Sequence, residues 1–389
     1  MAKSAIYLLI LAALSPWLYD RYQAISTVVA NRPGKFRGLY NIKSHEIKFQ
    51  DQIRNCEDVI IEDGIAFLSC DPGRDRWNTV MGTFAPEDRE RRGTDGGDIW
   101  IYDYSRPDLP DSEALKRLSL SDYADPVDFH PLGIEFDAAT STLYVINHSR
   151  YSGSVIEVFQ VSVESAVAKH VQTFKHPLVN TPNSIHSLGD GKLLVTNDHY
   201  MRAAVSPVLS KIETFSGISG GSVVYTDIHN PNDTRVVARV PFANGIAMFN
   251  STTVAVASSS LPGIYFYTID LDHRLALQRY VRTPVGVDNL SVDSDGKLLV
   301  AGHPFAFSLM KVSKGRPNCV LDGNEAEKKA CECSAPSWAA EWSEKEGLKE
   351  LYKNSSEEFC SSSTVVRDVN RNVGIISGLY EKGVFVFRE

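Results

Sequence analysis

The sequence predicts an all-β fold: a six-bladed β-propeller with a central calcium site, a hydrophobic N-terminal helix and a small helical insertion before the last blade. Three observations carry this reading. A hairpin pattern recurs six times, oxygen-bearing side chains stand at the head of most repeats, and an apolar stretch opens the chain.

The repeat is the primary evidence, because self-similarity at a fixed scale marks stacked architectures. The segments read "EDVIIEDGIAFLSC" from Glu57, "PLGIEFDAATSTLYVINHS" from Pro131 and "PNSIHSLGDGKLLVTNDH" from Pro182. They continue as "ANGIAMFNSTTVAVASSS" from Ala243, "DNLSVDSDGKLLVAGHP" from Asp288 and "STVVRDVNRNVGIISGLY" from Ser363. Each reads as a hairpin, and Asp190-Gly191 and Asp295-Gly296 are strong turn dipeptides between strand-like runs. Further strand candidates such as "SVIEVFQVS" and "GIYFYTIDLD" lie between the hairpins. Units of about four strands, recurring roughly every 45–75 residues, are propeller blades rather than halves of a sandwich.

Two stretches depart from the pattern. Arg74 to Asp98 is charged and glycine-containing and reads as a solvated loop. Cys319 to Cys360 is charged and cysteine-bearing, and "WAAEWSEKEGLKELY" places Trp338, Trp342 and Leu348 at near-helical spacing,. This predicts a disulfide-stapled, partly helical insertion over residues 319–360.

At the N-terminus, Ser4 to Tyr19 is an uncharged run of 16 residues between Lys3 and Asp20. That is short for a spanning helix and suits a signal segment. Residues 1–22 therefore read as a signal peptide or an uncleaved signal anchor, with residues 23–389 as the propeller. The expected setting is the secretory pathway, with the chain secreted or membrane-associated through this segment. Six cysteines agree with an oxidising compartment and structural disulfides,. Cys331-Glu332-Cys333 lacks the second pair that a zinc site needs. Sequons occur at Asn147, Asn232, Asn250, Asn289 and Asn354,.

Composition is that of an ordinary globular protein, 43% hydrophobic and 23% charged, with a net charge of −8,. No basic run or patch suggests a nucleic-acid partner. The informative charges are local. Glu57 and Asp58, Asn183, Asn244, and Asp288 with Asn289 open four repeats. In a propeller these positions converge at one mouth of the channel. Carboxylates with amide oxygens select Ca²⁺, whereas zinc favours imidazole and thiolate.

The motifs "TPNSIHSLGDGKLLVTNDHY", "FANGIAMF", "VDNLSVD", "FHPLGIEF" and "YVINHS" resemble the serum paraoxonase/arylesterase family of six-bladed propellers, from about Asn55 to the C-terminus. The resemblance is closer than that to the wider group of gluconolactonases and strictosidine synthases. It implies a calcium-dependent hydrolase of lactones and aryl esters. It also implies a catalytic Ca²⁺ held by Glu57, Asn183, Asn244, Asp288 and Asn289, and a second, structural Ca²⁺ involving Asp58. Ser184 stands where that second site expects aspartate. The implied histidine dyad is also broken: Leu132 occupies its first position and His148 its second. His130, His148, His303 and Asp288 are the candidate bases, and His199 is expected to brace the channel. Two alternatives stay open. One is a calcium-containing propeller with altered, non-hydrolytic chemistry, and the other is a non-enzymatic binding propeller. The family's ring-closing disulfide has no partner in the C-terminal "GVFVFRE", so an N-terminal strand is expected to complete the last blade.

Overall fold

A computed structural model describes residues 2–86 and 96–389, apart from a few side chains in the first turns of the N-terminal helix. Six inner strands organise it: β1 (Arg54–Glu62), β2 (Pro131–Asp137), β3 (Pro182–Gly189), β4 (Ala243–Asn250), β5 (Gly286–Val292) and β6 (Ser362–Asp368). Each begins an antiparallel unit of the chain. Strand β3, for example, pairs with Lys192–Asn197, then Ser222–Asp227, then Arg235–Arg239. Neighbouring inner strands lie side by side in sequence order, and β6 lies against β1. The expected propeller architecture is therefore present.

The turns behave as their sequences dictate. Asp190 and Gly191 both take left-handed backbone angles, with φ of 52° and 75°, as a two-residue hairpin turn matched to strand twist requires. Between units, alternate strand residues pack sheet on sheet. Phe67 and Ile101 meet Leu143 and Phe159 across the first and second units. Ala255 and Phe266 meet Leu298, Trp338 and Trp342 across the fourth and fifth. The buried Leu, Ile and Phe side chains among these each contribute roughly 1.5–3 kcal/mol.

The last unit is completed from the N-terminal side, as expected. Ser44–Lys48 pairs antiparallel with Val384–Arg388, covering an edge that would otherwise present free N–H and C=O groups. Leu39–Tyr40 extends the fifth unit in the same way.

Two expectations are corrected. Residues 337–354 are not a helix: Ser337–Ser343 and Gly347–Asn354 are the outer strands of the fifth unit. Trp338 and Trp342 are four apart, a spacing that puts them on one face of a strand as well as of a helix, and they pack in one core cluster. The helical part lies earlier, in α3 (Ala306–Gly315) and α4 (Glu325–Cys331), which follow α1 (Ala2–Ala30) and α2 (Pro207–Ser216). Nor is Arg74 solvated. It is buried and donates to the Pro131 carbonyl at 2.7 Å, while Asp75 beside it pairs with Arg54 and Arg316. Residues 87–95 of that expected loop lie outside the described residues.

All six cysteines are bonded, as Cys56–Cys70, Cys319–Cys331 and Cys333–Cys360. The N-terminal segment is helical well past residue 22. Among the described residues no helix is long and apolar enough to cross a membrane. The later part of α1 docks on the propeller: Trp17 donates to the Ser216 carbonyl at 2.9 Å and Arg21 to the Ser260 carbonyl at 3.1 Å.

Removing Ser44–Lys48 uncovers the last unit's edge. A chain starting at residue 50 should melt at least about 3 °C below one starting at residue 38. Equal melting temperatures would show that this strand does not support the ring.

Candidate active site and cation centre

One irregularity recurs in every inner strand. The register against the second strand slips between Cys56 and Asp58, Pro131 and Ile134, Pro182 and Ile185, Ala243 and Ile246, Val287 and Leu290, and Ser362 and Thr364. A bulge frees residues from the ladder and re-aims their side chains. Glu57, Asn183, Asn244, Asp288 and Asn289 all sit in these slips. Glycines let the strands crowd together there. A Cβ on Gly133 would lie 2.3 Å from the Asn183 carbonyl oxygen, and one on Gly245 would lie 2.6 Å from the Asn289 Cα.

The slips bring the expected donors together. All five are buried, between 2% and 5% exposed. Asn244 Nδ2 donates to Asp288 Oδ1 at 2.6 Å and to Ser259 Oγ at 2.9 Å. Asn289 Nδ2 donates to Glu57 Oε1 at 2.8 Å and to Thr364 Oγ1 at 3.0 Å. Both amides thus use their N–H groups on neighbours and leave their carbonyl oxygens bare. Glu57 Oε2, Asn183 Oδ1, Asn244 Oδ1 and Asn289 Oδ1 are buried and have no hydrogen-bond partner. Orphaned buried oxygens cost about 1–3 kcal/mol each, and four in one ring need a common positive partner. Burial, with Asp288 and Asp58 adding like charge, pushes the Glu57 carboxyl well above its ordinary range. A bound cation would offset all of these penalties.

The donor set fits Ca²⁺, which accepts carboxylate and amide oxygens in flexible geometry. Among the described residues no group of three or more His, Cys, Asp and Glu forms a metal cluster, so the ring depends on its amides. The donors do not fit a second cation at Asp58. Its Oδ1 accepts from Val59 N–H and the Thr364 hydroxyl, and its Oδ2 accepts from Ile134 N–H. Burial raises this carboxyl to about 7, against those three hydrogen bonds. Ser184 adds only a neutral hydroxyl.

Above the ring is a cavity of about 170 Å³. Glu57, Asn183, Asn244, Asp288 and His303 line its polar end, and Leu132, Phe215, Phe242, Leu309 and Met310 are among its apolar walls. His303 Nε2 meets Asp288 Oδ2 at 2.8 Å, while His303 Nδ1 is buried without a partner.

The other candidate histidines lie elsewhere. His130 precedes β2 and is fixed between Asp71 Oδ2 at 3.1 Å and Arg150 Nε at 3.2 Å. The register slip after Pro131 separates it from Leu132, which does line the cavity. His148 is buried with Nδ1 2.8 Å from Ser154 Oγ. Burial, then the positive charges of Arg74 and His130, lowers its pKa to about 3. His199 braces the wall through Thr214 Oγ1 at 2.6 Å and Asp198 at 3.1 Å.

Sequence reasoning missed the cavity's upper wall, α2 and α3. The signal for α2 was present: Ser206 caps Leu209 N–H, Pro207 follows, and Gly217 ends the helix at φ 66°, the usual start and stop residues. Of the sequons, Asn147, Asn289 and Asn354 are buried, whereas Asn232 and Asn250 are exposed.

The fold and site together define a propeller with a buried ring of oxygen donors beneath a largely apolar cavity. The chain belongs to the arylesterase family, whose model matches residues 91–322. It is 28% identical to rabbit (Oryctolagus cuniculus) serum paraoxonase/lactonase 3 over 271 residues, which are 67% of this chain and 70% of that protein. Identity to human (Homo sapiens) serum paraoxonase/arylesterase 2 is also 28%, with the same coverage. The periplasmic gluconolactonase of Pseudomonas aeruginosa is similar with a TM-score of 0.45 and 13% identity, over 85% of this chain and 80% of that one.

Two outcomes test the site. Calcium should raise the melting temperature, and Asn244→Ala or Gly245→Ala should lower calcium affinity at least tenfold by calorimetry, about 1.4 kcal/mol. Unchanged affinity in both would remove these residues from the ring. His148 is neutral in the fold, with its pKa well below the unfolded value of about 6.5,. Its contribution is therefore complete above that value and is lost as pH falls towards 3, by about 2 kcal/mol at pH 5. The melting temperature of His148→Gln should fall less between pH 7 and pH 5 than that of the unsubstituted chain; parallel slopes would contradict this.

Proposed function

We propose that this chain, a lactone and ester hydrolase at the level of its family, is a calcium-dependent lactonase and arylesterase. The observation that carries the reading is the ring of four bare, buried oxygens beneath the cavity, beside the Asp288–His303 pair. Glu57, Asn183, Asn244, Asp288 and Asn289 would hold one Ca²⁺. When bound, the ion supplies Lewis-acid polarisation of the ester carbonyl and charge to stabilise the oxyanion.

The chain's own residues supply the rest. The apolar wall around Leu132, Phe215 and Phe242 takes the non-reacting part of the substrate and excludes bulk water. Asp288 Oδ2 fixes the His303 ring through Nε2, leaving Nδ1 to take a proton from the attacking water. Of the four candidate bases, only Asp288 and His303 line the cavity. The relatives' names, paraoxonase, lactonase and arylesterase, support the ester and lactone class. Three disulfides support passage through the secretory pathway,.

Leu132 favours a second reading. It puts an apolar side chain at the cavity, where the family resemblance implies a histidine. A propeller that keeps the cation but performs a non-hydrolytic reaction would tolerate that change.

The assay uses γ- and δ-lactones and phenyl acetate, with calcium and with a chelator. Hydrolysis should require calcium, and His303→Gln should lower kcat/KM by about 10²–10⁴-fold. Calcium binding without turnover of any of these compounds would move the chain to the second reading. Loss of activity in His148→Gln with His303→Gln near normal would overturn the choice of base.

A further inference from the structure

Helix α2 turns several polar side chains inward and several apolar ones outward. Pro207, Ser210, Lys211 and Thr214 line the cavity, at the i, i+3, i+4, i+7 spacing of one helical face. Val208, Leu209 and Ile212 point away and are 68%, 45% and 56% exposed. Phe215 of the same helix also lines the cavity, so this wall mixes polar side chains, one lysine among them, with an aromatic ring. Besides Lys211, the charged or titratable residues lining the cavity are Glu57, Asp288 and His303, and these belong to its polar end.

Lys211 is exposed at the rim, and its ammonium has no ion pair or hydrogen bond among the described residues. The acid nearest along its helix is already engaged. Glu213 is buried and accepts from the Tyr200 and Met201 N–H groups, each at 2.8 Å. The cavity thus joins three chemistries: a carbonyl-binding floor, an apolar middle and an unpaired cation at the edge.

We propose that Lys211 reads an anionic group on the substrate, and that the preferred substrates are lactones or esters bearing a carboxylate at the far end of an apolar segment. This rests on the hydrolase reading above. The apolar wall takes the intervening chain while the distal carboxylate pairs with the Lys211 ammonium. A partly exposed ion pair of this kind is worth a modest factor in kcat/KM and weakens as salt is raised.

The test compares two aryl ester series matched in acyl chain length, p-nitrophenyl monoesters of dicarboxylic acids and p-nitrophenyl alkanoates, in the calcium-loaded protein. At the best-fitting length the ratio of kcat/KM, acid-ended over methyl-ended, should fall about fivefold in Lys211→Met. It should be retained in Lys211→Arg and in a control, Lys329→Met, at an exposed lysine of α4 that does not line the cavity, and should shrink with added salt. A ratio that Lys211→Met leaves unchanged at every length overturns the proposal while the hydrolase reading stands. If neither series is turned over, the lactone and phenyl acetate assays decide the hydrolase reading, and calorimetry with the unreactive p-nitroanilide analogues decides the Lys211 assignment. Tighter binding of the acid-ended anilide that is lost in Lys211→Met supports it, and equal affinities overturn it.

Discussion

The site depends on one backbone constraint, the register slip repeated at the same level of all six inner strands. A regular strand would send alternate side chains into the flanking sheets and away from the axis. The slip releases one or two residues per strand and points oxygen donors at a shared centre. Glycines beside the slips hold the strands close enough for those donors to meet. Core packing fixes the units in place, so the ring is held by the whole propeller rather than by any one loop.

That arrangement has an energetic cost, which explains its chemistry. Glu57, Asp288 and Asp58 bring like charge into a buried space, and the amides of Asn244 and Asn289 point their N–H groups at neighbours instead of water. The oxygens left bare are those of Glu57, Asn183, Asn244 and Asn289. A hydrogen-bonded core would not be built this way, whereas a cation-binding core would. Asp58 makes the contrast clear. It sits one residue further along β1, and its oxygens accept from Val59, Ile134 and Thr364.

Above the ring the structure changes character. Helices α2 and α3 rise from loops between strands and roof the channel with apolar side chains. They also carry the cavity's polar rim, including Lys211. On the proposed function, the reacting carbonyl would meet the ring and the rest of a substrate this roof. That division would put binding chemistry and specificity on different elements.

Much of the architecture was legible in the sequence. Hairpin turns such as Asp190-Gly191 are local, and strand alternation reports burial directly. The ring residues could be named because each opens a repeat, and because their motifs resemble those of a family. Some features could not be read. Trp338 and Trp342 suit a strand as well as a helix, and only pairing with Leu298–His303 chose between them. His130 and Leu132 are two residues apart, yet the slip after Pro131 sends one to Asp71 and the other to the cavity. The sequence by itself determined the repeated hairpins and the oxygen-donor residue types, because these reside in residue type and short spacing, while the family resemblance implied a histidine where Leu132 stands. Tertiary structure alone decided which oxygens are left bare, that His303 rather than His148 shares the cavity with Asp288, and that Lys211 stands at its rim without a partner among the described residues. Those outcomes depend on register and on contacts between residues far apart in the chain.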